Sequence, residues 1–121
     1  MTTPLQSPQH ALLRVAGLVC IAAIVVLSLL PGHWQVHTGA PGPLEHFVAY
    51  FLTAAIVGWD YRSRPRPLTA VIFFFALAGS MEILQHWAPG RDPAWDGFLA
   101  SGSGAAVGTW MVHWLRPSPG V

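Results

Sequence analysis

Residues 11–30, ALLRVAGLVCIAAIVVLSLL, form a predominantly apolar stretch in which Arg14 is the only charged side chain. Twenty residues at a rise of about 1.5 Å each reach about 30 Å, the thickness of the hydrocarbon core of a bilayer. A secretory signal peptide is the competing interpretation, with Thr38 and Ala40 as small residues at a cleavage site. The stretch is long for a signal peptide and lies far from that site. We therefore expect an uncleaved transmembrane helix.

The composition of the whole chain also favours lipid as its solvent. Its 121 residues are 53% hydrophobic and only 9% charged, whereas soluble domains carry about 25% charged residues. This length suits a single domain over 1–121, and we expect flexible tails at 1–10 and 117–121. The net charge of +1 and the absence of a basic stripe in the sequence argue against a nucleic-acid partner.

Three more apolar stretches follow, and proline, glycine or arginine residues bound each of them. They cover residues 44–61, 68–88 and 94–115. Pro43 suits the first turn of a helix, and Pro89-Gly90 is a typical helix stop. The sequence predicts an all-α integral membrane bundle of four transmembrane helices, over 11–30, 44–61, 68–88 and 94–115. Short connections make successive helices antiparallel neighbours.

The distribution of arginine predicts the orientation of this bundle. Arginines lie near the start of the first stretch, between the second and third, and after the fourth, at Arg14, Arg62, Arg64, Arg66 and Arg116. The positive-inside rule places these regions and both termini in the cytoplasm. The loops at 31–43 and 89–93 then face outward, with Arg91 as the exception. Tryptophans lie near both predicted membrane surfaces, as in an interfacial aromatic belt: Trp59, Trp110 and Trp114 inside, and Trp34, Trp87 and Trp95 outside.

Polar side chains are concentrated at the predicted outer ends of the helices. His46 and Tyr50 share a face of the second helix, as Glu82 and Gln85 do on the third. Glu82 lies roughly 7–8 Å below the interface at the helical rise, where an unpaired carboxylate costs a few kcal/mol. Arg91 can fold back after Pro89-Gly90, and Asp96 opens the fourth helix at the positive end of its dipole. We expect one site formed by His46, Tyr50, Glu82, Gln85, Arg91 and Asp96.

Structural roles compete with binding at several of these positions. Buried ion pairs can fix helix register without any chemistry. Asp96 alone suits a helix-start role, and His86 suits an interfacial position beside Trp87. Glu45 and Asp92 are expected to be solvated. Cys20, the only cysteine, is expected to be a buried apolar side chain.

Metal and nucleophilic chemistry have weak support in the sequence. His46, Glu82, His86 and Asp96 could supply metal ligands. The zinc-protease pattern H-E-x-x-H is absent from the sequence, so we expect no metal and no other cofactor. No serine or cysteine has an evident activating base beside it in the sequence.

The fourth stretch carries small residues at helical spacing, above all Gly104 and Gly108. Such faces let helices pack closely in lipid. We expect packing within the bundle, with a homo-oligomer through Gly104 and Gly108 as the second interpretation.

The order of these motifs resembles that of the VanZ-like membrane proteins. His46-Phe47-x-x-Tyr50, Glu82-x-x-Gln85, Pro89-Gly90-Arg91, Asp96 and Gly104-Ala105-x-x-Gly108 follow in the family's order. Gly42 and Pro43 stand where the family commonly has an Asp-Lys pair, and its asparagine after the aspartate is replaced by Ala100 or Ser101. The resemblance implies a multi-pass protein of the bacterial cytoplasmic (inner) membrane and cell envelope, and a link with resistance to the glycopeptide teicoplanin.

The expected function is binding of a polar or anionic headgroup, from a membrane lipid or a lipid-linked cell-wall precursor. Arg91 would contact the anion, His46 and Gln85 would form hydrogen bonds, and Glu82 and Asp96 would orient Arg91. One alternative is a hydrolase or transferase with Glu82 and His46 as acid and base on a lipid phosphate or ester. Another is a scaffold or assembly subunit. Proton-coupled transport is less favoured, because no helix is predicted to break at the midplane.

Overall fold

A computed structural model describes residues 8–30, 39, 41–59, 66–90 and 95–115. These ranges contain four helices and no strand: α1 (Pro8–Leu29), α2 (Gly42–Trp59), α3 (Pro67–Gln85) and α4 (Trp95–Leu115). The all-α prediction is therefore confirmed for the described residues, with each helix within three residues of its expected bounds.

Two bounds differ by three residues: α1 begins at Pro8 and not at residue 11, and α3 stops at Gln85 and not at residue 88. The backbone N–H groups of His86, Trp87 and Ala88 bond to carbonyls three residues back, at 3.1–3.2 Å. This tighter bonding is typical of a helix end. Pro89 cannot continue the helix, and Gly90 has a φ of 74°, a left-handed conformation that glycine adopts without strain. The chain therefore turns sharply before α4.

Two of these helices are long and apolar enough to cross a membrane. The qualifying segments are Ala11–Leu29 in α1 and Pro67–Gln85 in α3. A signal sequence or the core helix of a soluble protein would pass the same test. However, only 11% and 22% of the respective apolar windows are buried, so neither helix is an enclosed core helix.

Large apolar side chains cover the outside of the bundle. Every described helix exposes some of them, including Leu18 and Val26 on α1, Leu52 on α2, Ile72 and Ile83 on α3, and Leu99 on α4. Soluble monomers rarely expose contiguous apolar patches of this kind. The exterior is therefore suited to contact with lipid or with other apolar surfaces.

The closest helix pair is α2 with α4. A Cβ atom at Gly108 would lie 2.5 Å from the carbonyl oxygen of Phe51, and one at Gly104 would collide with the carbonyl of Phe47. The backbones approach this closely because glycine has no side chain, as in small-residue helix contacts. Both glycines are buried by α2 of the same chain. A homo-oligomer through these two residues would require α2 to move away.

One cluster of buried aliphatic and aromatic side chains joins all four helices: Ile24, Tyr50, Ala54, Phe74, Ala78 and Ala105. Tyr50 and Phe74 meet edge to face, with ring centroids 6.3 Å apart. By comparison, α1 packs less extensively. It touches α2 at Gly17, where an added Cβ would lie 3.3 Å from Val57. Further along α1, a cavity separates it from α2.

Candidate functional site

A cavity of about 330 Å³ lies among α1, α2 and α3, with Ser101 of α4 at one side. Four of the six residues expected to form a site line it: His46, Tyr50, Glu82 and Gln85. His46 and Tyr50 lie on α2, whereas Glu82 and Gln85 lie on α3. These two pairs are distant in the sequence. The structure therefore brings these four side chains to one cavity, whose other lining residues are mostly apolar.

The face of α2 toward the cavity follows from helical spacing. His46, Tyr50 and Thr53 recur at intervals of four and three, and all three line the cavity. Tyr50 is buried against Phe74. The Thr53 hydroxyl donates to the carbonyl of Ala49 at 2.8 Å. Because that bond lies within α2, the Thr53 hydrogen is already used by its own helix.

Gln85 joins α3 to α1. Its Nε2 donates to the carbonyl oxygen of Ser28 at 3.0 Å, and the side chain is 5% exposed. Ser28 lies in the last turn of α1, where carbonyls have no partner within the helix. Gln85 therefore satisfies a helix-end carbonyl that would otherwise face an apolar environment. This structural role was not among the sequence-based expectations.

Ser101 is a polar cavity residue that sequence analysis did not assign to the site. Its Oγ donates to the carbonyl of Gly97 at 2.8 Å and lies 3.3 Å from Nδ1 of His46. Sequence analysis found no serine with an evident activating base, and the fold places the imidazole of His46 beside Ser101. Its position four residues after Gly97 on the small-residue face was visible, but its contact with α2 was not.

The hydrogen bonds at Ser101 favour one tautomer of His46. A serine hydroxyl has one hydrogen, and it is directed to the carbonyl of Gly97 in the shorter bond. With that hydrogen engaged, Ser101 Oγ can only accept from His46, which requires the tautomer with its hydrogen on Nδ1. Nε2 is then the acceptor of the ring. We infer that Ser101 orients His46.

Gly97, in the first turns of α4, lies between the two ionisable groups of the site. An added Cβ would be 3.0 Å from Glu82 Oε1 and 3.4 Å from His46 Nδ1. Glu82 and His46 therefore approach the same point on α4 from α3 and α2. Any side chain at position 97 would displace one of them, since a contact at 3.0 Å is already tight.

Asp96 opens α4 as expected, but it lies outside the cavity. It is exposed, does not line the cavity, and lies in the first turn of α4. Its Oδ1 accepts from the backbone N–H of Gly97 at 2.8 Å. This arrangement fits the helix-start interpretation, because a carboxylate is favourable at the positive end of a helix.

The other ionisable residues that sequence analysis placed near the site differ in their position relative to the cavity. Arg91 and Asp92 lie outside the described residues. His86 is exposed and takes no part in lining the cavity. Glu45, expected to be solvated, is half-buried and lines the cavity. The polar end of the cavity therefore includes a second carboxylate that sequence analysis set aside.

The lining as a whole suits a ligand with a polar and an apolar part. Its polar groups include an imidazole, a phenol and two carboxylates, while alanine, leucine, isoleucine and methionine supply apolar wall. Within the described ranges, no group of three or more histidine, cysteine or acidic side chains is placed to hold a metal ion. Comparison with protein-family models, curated proteins and solved structures gives no match for the chain.

Proposed function

We propose that this chain is an integral membrane protein whose cavity binds the polar or anionic headgroup of a membrane lipid or a lipid-linked cell-wall precursor. One observation carries the proposal. His46, Tyr50, Glu82 and Gln85 line a single cavity whose remaining wall is largely apolar. Polar groups are costly in an apolar environment, and those gathered around a cavity are favoured as a functional site.

The membrane part of the proposal is that all four helices cross the bilayer. The length and hydropathy of α1 and α3 support it, as do the apolar side chains exposed on α2 and α4. Trp87 and Trp95 are exposed near one end of the bundle, and Trp59, Trp110 and Trp114 near the other. Indole side chains favour the two interfaces. The arginine distribution then puts the cavity toward the outer leaflet.

Individual residues have different proposed roles in ligand binding. His46 offers Nε2, and Tyr50 offers its hydroxyl, to the ligand. Arg91, one residue beyond the Pro89-Gly90 turn, would provide the positive charge for an anionic group, with Glu82 and Asp96 orienting it. Gln85 holds α1 in place through Ser28 and can also form a ligand hydrogen bond. The resemblance to VanZ-like proteins supports a place in the bacterial cytoplasmic membrane and a contribution to teicoplanin resistance.

The binding test uses purified protein in nanodiscs of phosphatidylcholine, with phosphatidylglycerol added as the anionic probe. We expect retained phosphatidylglycerol in native mass spectra of the wild type. Arg91→Ala should abolish this retention, and His46→Ala should weaken it. His86→Ala is the matched control, because His86 is exposed outside the cavity. Equal retention by all variants, or turnover of the bound lipid, would contradict a binding-only function.

A second function is favoured by the arrangement of three side chains. Ser101 Oγ, His46 Nδ1 and Glu82 Oε1 surround the start of α4 at Gly97. This arrangement supports a membrane-embedded hydrolase or transferase, with Glu82 and His46 as acid and base on a lipid phosphate or ester. Release of fatty acid or glycerol phosphate from phosphatidylglycerol, lost in folded Glu82→Gln, would establish it. A third outcome is that Glu82→Gln alters only thermal stability in detergent, while teicoplanin resistance of the cells persists. The polar side chains of the cavity would then have a purely structural role.

A further inference from the structure

The cavity is open to the side of the bundle, between α1 and α2. Leu27 on α1 is 50% exposed and Leu52 on α2 is 52% exposed, yet both line the cavity. Ala23 and Ala49 are also exposed cavity residues. Side chains that line a cavity and also face outward mark its mouth. This mouth lies on the surface that the proposed bilayer would cover.

The packing of α1 explains why the mouth is there. Gly17 contacts Val57, which closes the gap between α1 and α2 on one side of Cys20. At the other end, Gln85 ties Ser28 to α3 and not to α2. Between these two contacts, Cys20, Ala23 and Leu27 form a wall of α1 that α2 does not cover.

The imidazole and carboxylate side chains of the cavity lie toward one end, and apolar side chains predominate toward the other. Cys20, Ala23 and Leu52 are toward the Gly17 contact, and His46, Glu82 and Gln85 are toward the end of α1. From Cys20 to Ser28 the helix rises about 12 Å. One leaflet of hydrocarbon is about 15 Å thick, half of the bilayer core. In the proposed bilayer, a cavity of this length would extend through most of one leaflet, with its polar end toward the interface.

We propose that this groove holds one acyl chain of a lipid that enters sideways between α1 and α2. The acyl chain lies along Cys20, Ala23 and Leu52, while the headgroup lies at His46, Tyr50 and Glu82. This inference rests on the proposed headgroup site and assigns its ligand class as a membrane lipid. A free polar ligand would leave the apolar wall facing no ligand atoms.

The size of the cavity suits a small or narrow ligand. It measures about 330 Å³, near the lower end of small-ligand sites. Its polar end at His46 and Glu82 matches a ligand whose apolar chain carries a polar headgroup.

The test uses phosphatidylglycerol with a diazirine in its acyl chain, in vesicles containing the full chain. After illumination, mass spectrometry should locate crosslinks on α1 near Cys20 and Ala23, and excess unlabelled phosphatidylglycerol should reduce them. Ala23→Trp should fill the groove and lower these crosslinks to the level of ordinary surface lipid. Ala22→Trp is the control. Ala22 immediately precedes Ala23 and is also exposed, but it does not line the cavity.

A second pair of variants on α2 guards against a folding defect in the first. Leu52→Trp should block the groove, and Val48→Trp, exposed outside the cavity, should not. Circular dichroism and size-exclusion profiles confirm that each variant is folded. Crosslinks that are spread evenly over all four helices, or that are equal in blocking and control variants, would overturn the acyl-chain groove.

Different outcomes would contradict the proposed headgroup site. If groove crosslinks respond to Ala23→Trp but are the same for phosphatidylglycerol and phosphatidylcholine, and unchanged in His46→Ala, the groove stands without the proposed headgroup contacts. Glycerol 3-phosphate, a polar ligand without an acyl chain, tests the polar site separately from the groove. If it binds the wild type and Ala23→Trp equally, but Ala23→Trp leaves acyl crosslinks unchanged, the polar site stands and the groove does not.

Discussion

Ser101 of α4 and His46 of α2 share a hydrogen bond, with 3.3 Å between Oγ and Nδ1. Because Ser101 Oγ also donates to Gly97 at 2.8 Å, its single hydrogen is engaged there. We infer that the imidazole is held with Nε2 as its available acceptor. A small polar contact between two helices thus sets which atom of His46 a ligand can meet.

Ser101→Ala should release this constraint on the imidazole. We expect nitrogen NMR spectra of wild-type His46 to show the Nδ1–H tautomer, and spectra of Ser101→Ala to show a mixture. Phosphatidylglycerol retention should fall in the same variant. Ser103→Ala, an exposed position on the same helix, is the control. Identical His46 spectra in wild type and Ser101→Ala would refute the orienting role.

Gln85→Leu should weaken the attachment of α1. The change removes the donor to the Ser28 carbonyl and leaves that oxygen unpaired. Interhelical side-chain bonds in membranes contribute on the order of 1 kcal/mol. We expect a correspondingly lower melting temperature in detergent. Ser80→Ala is the control, because the Ser80 hydroxyl bonds only within α3, to Ala76. Unchanged melting of Gln85→Leu would show that the bond adds nothing to stability.

Gly108→Val should destabilise the bundle, because the new side chain must displace the Phe51 carbonyl of α2. Overpacking of this kind costs about 1–3 kcal/mol. Thermal unfolding in detergent measures the effect. Ser103→Val, on the exposed side of α4, should unfold like the wild type. Equal stability of the two variants would mean that α2 and α4 do not pack through Gly108.

Gly97→Ala should separate binding from stability. Its Cβ would meet the ends of the Glu82 and His46 side chains, at 3.0 Å and 3.4 Å, and these can shift at small cost. We expect near wild-type melting with reduced phosphatidylglycerol retention. In Gly79→Ala the new Cβ lies 3.5 Å from Phe98, an ordinary contact, so retention should persist. Wild-type retention by Gly97→Ala would remove Glu82 and His46 from the proposed headgroup site.

The fold was predictable from the sequence to the extent that apolar length and breakers decide it. Helix positions follow from the four apolar stretches, and the common face of His46 and Tyr50 follows from helical spacing. The sequence does not predict which side chains of α3 are buried and which are exposed. Phe73 is 49% exposed and Phe74 is 1% exposed, yet both sit in a uniformly apolar run that gives no preferred face.

The site was predictable only in part, because its remaining contacts depend on how the helices pack. Gln85 reaches Ser28 across 57 residues of sequence, and no local pattern indicates this pairing. Ser101 belongs to a small-residue face whose packing was foreseen, but its bond to His46 depends on the register of α2 against α4. Glu45 lines the cavity because α1 stands apart from α2 near that end.

The proposed orientation, with the cavity at the outer leaflet, is tested most directly by cysteine accessibility in intact cells. In a Cys20→Ala background, Thr38→Cys and Ser63→Cys place single thiols in the two loops that should lie on opposite sides. A membrane-impermeant maleimide should label Thr38→Cys in intact cells and Ser63→Cys only after lysis. Labelling of Ser63→Cys from outside intact cells would contradict the orientation and the outward-facing site that depends on it.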